Sequence, residues 1–330
     1  MNGENSTISY TEEKNPRFLS IDIFKGIAIV LTIFINSIAY FSNTPSWNKG
    51  TEFYGLTYVD LVAPFFIFMI ALTFKASFNR RVKKIGYIKT YIHFIKRNSL
   101  LILIGFLITI QISSTGISFS WGTLQMLGTI SFIYLLFIRS NQFIRLLIST
   151  SGLIFHQILL NTGNKVIIYD APHGGIIGLI PLGCLLLISS IITENFHDRS
   201  KNYKILIESI ICIILGIFSS LIWGISRNYI TIPFVLISVG ISSLIYFLLY
   251  NIFEIRSEIN TCLKNEKLFS VMGRYTLLLY ILQAIFKYIP YIFLPIDTNF
   301  LIIITFGIIM VLFNYFLAFF LNKNDIILVL

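Results

Sequence analysis

The chain is a succession of apolar segments, each close in length to the thickness of a lipid bilayer. A membrane-spanning helix needs roughly 20 predominantly apolar residues. Only 12% of the residues are charged, whereas a soluble domain has about 25%. The sequence therefore predicts an all-α fold, a polytopic integral membrane helical bundle of about ten transmembrane helices. We expect these helices at 18–41, 56–78, 98–114, 120–138, 143–160, 175–193, 205–224, 230–251, 271–289 and 300–321.

Lys and Arg are distributed unequally between the two ends of these helices. If the N-terminus lies inside, the outer end holds only four of the 25 basic residues, Lys49, Lys165, Arg227 and Lys287. Basic residues prefer the cytoplasmic side of a membrane, so both termini are expected to lie inside. The net charge of +10 is explained by this placement, and no nucleic-acid partner is predicted. A multi-pass protein of the plasma membrane, surrounded by membrane lipid, is the simplest expectation.

The predicted organisation is one transmembrane domain at 17–322, between cytoplasmic tails at 1–16 and 323–330. The first tail lacks the basic n-region and the small-residue cleavage site of a signal peptide, so the first span is expected to remain a transmembrane helix. The three cysteines show no CxxC spacing. Neither a disulfide framework nor a zinc site is suggested, and no metal is predicted.

Polar side chains inside the first predicted span are candidates for chemistry, because such residues are costly in a membrane and rarely face lipid. Asp22 and Lys25 are three residues apart and can pair on one helix face. A structural ion pair, or a Lys25 that snorkels to the inner interface, is the alternative to a functional role. Asn36 lies roughly 21 Å along the axis from Asp22, near the outer face. It could make an interhelical hydrogen bond or donate to a reacting carbonyl.

Two further candidates lie at the predicted outer end, and one at the inner end. Asp60, one turn into the second span, could line an outer vestibule or simply be stabilised by the helix dipole. His173 follows Asp170 in the segment before the sixth span. A histidine titrates near neutral pH and can take and give a proton, although a loop histidine is more often only solvated. Arg274 lies at the inner interface, where the positive-inside tendency alone would explain it.

Two blocks of sequence resemble the transmembrane acyltransferase family of heparan-alpha-glucosaminide N-acetyltransferase. SIDIFKGIAIVLTIFIN (20–36) is similar to the family block S-(V/L)-D-x-(F/L)-R-G…F-V-N. GLTYVDLVAPFFIFMIALTF (55–74) is similar to the block G-L-T-x-A-D-L-V-F-P-x-F-x-F. Weaker similarities follow in order at 96–107, 122–136, 170–175, 227–238 and 273–282.

The resemblance implies an integral membrane acyltransferase. Such an enzyme takes an acyl group, here expected to be acetyl, from cytoplasmic acyl-CoA and passes it to a sugar, glycolipid or envelope acceptor on the outer face. It implies that Asn36 and Asp60 line the reaction centre. It also implies that the basic inner face, with Asp22, Lys25 and Arg274, binds acetyl-CoA as co-substrate. A homodimer is left open. Direct transfer is favoured over an acyl-enzyme, because no Ser or Cys has an evident neighbouring base.

The chain also departs from the family pattern. The place of the family's catalytic histidine is occupied by Gly50, and 42–55 contains no histidine. His173 stands where the family usually has a glutamate. Either His173 has taken over the role of base, oriented by Asp170, or the protein has kept the fold and lost acetyltransfer. A transporter or flippase-like protein, with Asp22, Lys25 and Asp60 along a substrate path, is a further alternative.

Overall fold

The computed structural model describes residues 18–113, 116–163, 172–197, 202–256, 263 and 265–326. Within these ranges the protein is predominantly helical, as predicted. The predicted tail at 1–16 and residues 327–330 of the second tail lie outside the described residues. The α-helices are α1 Leu19–Ile38, α2 Val62–Ile85, α3 Tyr87–Ile108, α4 Thr123–Phe137, α5 Gln142–Asn161, α6 Leu179–Thr193, α7 Asn202–Trp223, α8 Ile232–Tyr250, α9 Leu268–Arg274, α10 Thr276–Phe286, α11 Ile289–Phe293 and α12 Phe300–Lys323.

Seven helices in the described ranges are long and apolar enough to cross a membrane. An eighth span results if α9 and α10, which are bent by 87° at their junction, cross together. Helices α4 and α6 are apolar but have only 15 residues each. Each of the ten predicted segments thus overlaps an apolar helix, but the ninth, 271–289, was expected to be one helix and is divided between α9 and α10. The number of helices that cross the membrane, and their orientation, stay predictions.

The basic stretch between the second and third predicted spans is itself helical. Helix α2 continues to Ile85 and α3 begins at Tyr87, so that Gly86 alone joins them. Gly86 has φ 78°, a left-handed conformation that glycine adopts without steric cost. Two continuous helices with a sharp turn therefore carry the cationic side chains of 79–97, which were expected to form an inner connection.

A short hairpin corrects the predicted third span, which was expected to remain helical to residue 114. Helix α3 ends at Ile108 and is followed by β1, Ile110–Ser113, and β2, Gly116–Phe119. The strands pair antiparallel, with Ile110 opposite Phe119. The segment IQIS alternates apolar and polar residues and contains β-branched isoleucine, both of which favour a strand over a helix.

Helix α1 lies inside the bundle and contacts α2, α8, α9, α10 and α12. Its crossing with α9 is close, because both helices present glycine there. A Cβ at Gly26 would lie 2.0 Å from the carbonyl oxygen of Phe269, and a Cβ at Gly273 would lie 1.8 Å from that of Asp22. Real Cβ atoms do not approach this closely, so the two glycines permit the crossing. It brings Arg274 beside the inner half of α1.

Candidate functional site

A cavity of about 460 Å³ at the predicted outer end of the bundle contains all three residues that the sequence proposed as catalytic. We call it the outer chamber. Asn36 reaches it from α1, Asp60 from the 3₁₀ turn Tyr58–Leu61 that leads into α2, and His173 from the 3₁₀ turn Pro172–Gly174 that precedes α6. The structure therefore places them in one site, while their chemical roles stay predictions.

Asn36 is held in place by a second amide. Its Nδ2 donates to Oε1 of Gln283 on α10 at 2.8 Å, and Gln283 is buried. This is the interhelical hydrogen bond that the sequence offered as the structural alternative. An amide nitrogen carries two N–H groups, so one bond to Gln283 still leaves Asn36 a donor for a molecule in the outer chamber. The structural and functional interpretations are therefore compatible.

Asp60 is fully buried and organises the loop that closes the outer chamber. Its Oδ2 accepts from Thr57 N at 2.9 Å, which is the Asp60 half of a capping box at the start of the turn, and from Thr57 Oγ1 at 3.1 Å. Thr51 donates to the same carboxylate, from N to Oδ1 and from Oγ1 to Oδ2, both at 3.2 Å. Its Oδ1 lies 3.3 Å from a guanidinium nitrogen of Arg227. These donors fix the carboxylate within the loop, while a part for Asp60 in the chemistry stays a prediction.

Arg227 occupies the space next to Gly50. A Cβ at Gly50 would lie 2.4 Å from one guanidinium nitrogen of Arg227 and 2.9 Å from the other. Its neighbour Asn228 ties the same loop by donating to the carbonyl of Thr51 at 3.3 Å. In the family pattern a histidine stands at the position of Gly50, so here a cation from a distant loop lies where that side chain would begin. Sequence reasoning counted Arg227 only as one of the few outer cations.

His173 is partly buried in an unusual backbone conformation. Its φ of 56° is rare for a non-glycine residue, and such strain is often found at functional sites. The turn is packed tightly, since a Cβ at Gly178 would lie 2.1 Å from the His173 carbonyl oxygen. The imidazole Nε2 lies 3.0 Å from Thr123 Oγ1. The predicted partner Asp170 lies outside the described residues.

The imidazole of His173 is neutral near physiological pH. Loss of hydration on burial, followed by repulsion from the Arg227 guanidinium, lowers the pKa of His173 to about 4. A neutral imidazole has one ring nitrogen that can accept a proton. His173 is therefore available as a base at pH 7, although its low pKa makes it a weaker one than a solvated histidine.

A second cavity, of about 300 Å³, lies toward the predicted inner end, and we call it the inner chamber. Three cations line it, namely Lys25 on α1, Arg97 on α3 and Arg274 on α9. Asp22, which the sequence grouped with them, is buried behind this wall, and its Oδ2 lies 4.0 Å from Nε of Arg274. Arg274 also donates to Asn322 Oδ1 at 3.0 Å. The chamber thus suits a negatively charged ligand.

Sequence reasoning missed several residues that shape the two chambers. Thr123, Gln283 and Tyr280 are ordinary residues of apolar helices, and nothing in their spacing distinguishes them. Arg97 was counted in the basic inner cluster without a specific role. Arg227 carried a usable signal that it shares with Lys49, because a cation at the predicted outer end violates the positive-inside tendency and both residues line the outer chamber.

Within the described residues, no group of three or more His, Cys, Asp or Glu side chains is arranged to hold a metal ion.

The comparisons with known proteins cover only part of the chain. The family described as Domain of unknown function (DUF5009) matches residues 17–169. A stretch of 59 residues is 42% identical to human (Homo sapiens) heparan-alpha-glucosaminide N-acetyltransferase, and it covers 17% of this chain and 8% of that protein. The second match is confined to this stretch and suggests at most a family related to that N-acetyltransferase.

Proposed function

We propose that this protein is an integral membrane acyltransferase that moves an acetyl group from cytoplasmic acetyl-CoA directly to a sugar or other envelope acceptor on the outer face. The observation that carries the proposal is the pair of adjoining chambers. A cationic inner chamber is suited to the donor, and an outer chamber combines a neutral histidine with an amide donor. The partial similarity to an N-acetyltransferase supports the same reaction class.

The inner chamber would hold the acyl-pantetheine end of the donor. Its volume of about 300 Å³ is at the lower end for ligand pockets, so the nucleotide would lie outside it, against the basic inner ends of α2 and α3. Lys25, Arg97 and Arg274 would pair with the pyrophosphate that joins the pantetheine arm to the nucleotide, because cations pair with phosphate through charge-assisted hydrogen bonds.

The outer chamber would hold the acceptor. A lone pair of its amine or hydroxyl forms a bond to the thioester carbonyl carbon, and the carbon–sulfur bond breaks. His173 accepts the proton that the acceptor loses and later passes it to water, while the CoA thiolate leaves through the inner chamber. The free N–H of Asn36 stabilises the negative charge that develops on the carbonyl oxygen. Asp60 and Arg227 keep the chamber walls in position.

The test uses the purified full-length protein in nanodiscs with labelled acetyl-CoA and glucosamine as a probe acceptor. We expect transfer by the wild type. Asn36→Ala and His173→Ala should lose at least 100-fold in transfer rate, a typical contribution of one such group, and should retain thermal stabilisation by acetyl-CoA. His93→Ala is the matched control, since His93 lies on α3 and lines neither chamber. Wild-type rates in both site variants would refute the proposed roles.

A transporter is the second candidate, and the junction of α9 and α10 favours it specifically. Many transporters bind their substrates where a transmembrane helix is broken, and these two helices meet at 87° beside Arg274 and Thr276, which line the inner chamber. Substrate uptake into sealed vesicles that contain no acyl-CoA would support transport. Acetyl-CoA-dependent product formation without such uptake would support the transferase.

A further inference from the structure

A third cavity, of about 230 Å³, lies toward the predicted inner end of the bundle, and we call it the third chamber. It is lined by α2, α4, α6 and the first residue of the 3₁₀ turn Glu194–His197. On α2, Thr73 lines the inner chamber and Lys75 the third chamber. Two residues along a helix correspond to a rotation of about 200°, so the two chambers lie on nearly opposite faces of α2. The third chamber is therefore separate from the proposed donor site.

Two cations share one carboxylate in the wall of the third chamber. Nζ of Lys75 and Nη2 of Arg145 both contact Oε1 of Glu194. The other oxygen, Oε2, accepts from Gln142 Nε2 at 2.9 Å. Two positive charges and one negative charge leave this group with one positive charge in excess. Arg145 is fully buried, and an uncompensated charge in such surroundings is costly. The group therefore favours a bound anion and disfavours a cation.

The hydroxyl of Tyr134 points to a ligand independently of this charge. Tyr134 lines the third chamber and is only 1% exposed. Its hydroxyl makes no hydrogen bond within the part of the chain that the structure describes. The Ser190 hydroxyl in the same wall is already used, since it donates to Leu187 O and accepts from Arg145 Nη1, both at 2.7 Å. A buried polar group without a partner is costly, and a bound acceptor would remove this cost.

We propose that the third chamber binds a phosphate group. Its oxygens would accept from the Tyr134 hydroxyl and from Lys75, whose ammonium has three N–H groups and gives one to Glu194. The exposed side-chain amide of Asn79, which also lines the chamber, is a further donor. The inference goes beyond the proposed acyltransferase function and does not depend on it.

The size of the third chamber limits what carries the phosphate. Pockets for drug-sized molecules measure about 300–1,000 Å³, and this one is smaller at about 230 Å³. It suits a single phosphate or a phosphorylated headgroup rather than a nucleotide. Free phosphate and the headgroup of an anionic phospholipid present the same oxygens to the same donors.

The experiment measures thermal unfolding of the purified full-length protein in two settings that separate these sources. In a neutral detergent, inorganic phosphate is titrated against chloride at constant ionic strength. In nanodiscs, phosphatidylcholine alone is compared with phosphatidylcholine that contains phosphatidic acid. We expect the wild type to be stabilised in at least one setting. Stabilisation by inorganic phosphate identifies a site for the free anion, whereas stabilisation by phosphatidic acid alone identifies a site for a lipid headgroup.

Two variants assign the stabilisation to the third chamber. Tyr134→Phe removes only a hydroxyl without a hydrogen bond in the described residues, so without probe it should unfold near the wild-type temperature. Its apparent affinity for the effective probe should fall at least tenfold, a typical factor for a hydrogen bond to a charged group. Lys75→Gln should lower this affinity further. Tyr315→Phe is the matched control, because Tyr315 is half-buried on α12 and lines none of the three chambers.

Tyr134→Phe decides the test alone if Lys75→Gln fails to fold. The phosphate site is refuted if neither probe raises the melting temperature of the wild type. It is equally refuted if Tyr134→Phe responds like the wild type and Tyr315→Phe, because the cations of the inner chamber or of the basic helix ends would then explain the response.

Discussion

Replacing Asp60 by alanine should destabilise the whole outer loop. Five donor atoms lie within 3.3 Å of this buried carboxylate, four of them on Thr51 and Thr57 and one on Arg227. Alanine provides no acceptor, so the capping box and the ion pair are lost together. The turn Tyr58–Leu61 that leads into α2 would then lose the Asp60 half of its capping box.

The expected cost follows from burial. Removing one partner of a buried ion pair costs about 3–5 kcal/mol, but Arg227 is 36% exposed and water can partly replace the lost carboxylate. We therefore expect Asp60→Ala to lower the free energy of unfolding by about 3 kcal/mol. That value corresponds to a drop of roughly 4 °C in melting temperature for a chain of this size.

Thermal unfolding in nanodiscs measures this effect, with transfer activity recorded on the same samples. Asp60→Asn keeps one acceptor oxygen and should lie between the wild type and Asp60→Ala. Asp297→Ala is the control, because Asp297 is an exposed aspartate of another predicted outer loop. This variant should have the same melting temperature as the wild type. If Asp60→Ala melts with the wild type but loses all transfer, the structural role is wrong and the carboxylate acts chemically.

Three further predictions follow from other close contacts. Gly273→Ala places a Cβ 1.8 Å from the backbone carbonyl of Asp22, so α1 and α9 must separate and the yield of folded protein should fall sharply in size-exclusion chromatography. Arg145 is fully buried and contacts Glu194. Arg145→Met leaves Glu194 without this partner and should lower the free energy of unfolding by about 3 kcal/mol, measured by thermal unfolding. Adding Glu194→Gln to Arg145→Met removes the remaining charge and should restore part of this stability. The pKa of His173 is lowered to about 4, so the folded protein binds fewer protons than the unfolded chain between about pH 4 and 6.5. Its stability should therefore fall as the pH drops through that window, by at most about 1.4 kcal/mol per pH unit, and His173→Gln should flatten this dependence.

Helix positions could be predicted from the sequence because lipid imposes a simple rule. A span must satisfy its backbone hydrogen bonds internally and present apolar side chains, and composition records both requirements. The same rule could not predict the hairpin at 110–119, because a short strand pair at the end of a helix is decided by local pairing. Nor could it predict that α9 and α10 form a bend of 87° at Tyr275, since the apolar pattern continues through the break.

Some of the residues that line the outer chamber could also be predicted from the sequence, but for a different reason. Asn36 and Asp60 are polar residues at costly positions, so each attracted attention individually. His173 became a candidate because it lies in a glycine-rich segment before the sixth predicted span. The hydrogen-bond partners that decide what each one does come from distant parts of the chain, such as Gln283 for Asn36 and Arg227 for Asp60. Pairings of this kind depend on how helices pack, and hydrophobic periodicity does not encode them.

The contact between Gly50 and Arg227 gives a steric reason for the absence of a histidine at position 50. Any side chain at position 50 would begin within 2.4 Å of the Arg227 guanidinium, so a histidine there and this arginine conformation exclude each other. The arginine is in turn held by the buried carboxylate of Asp60. In the proposed reaction the proton acceptor would therefore come from elsewhere in the outer chamber. His173 supplies a neutral imidazole there, and the repulsion from Arg227 that lowers its pKa keeps it neutral.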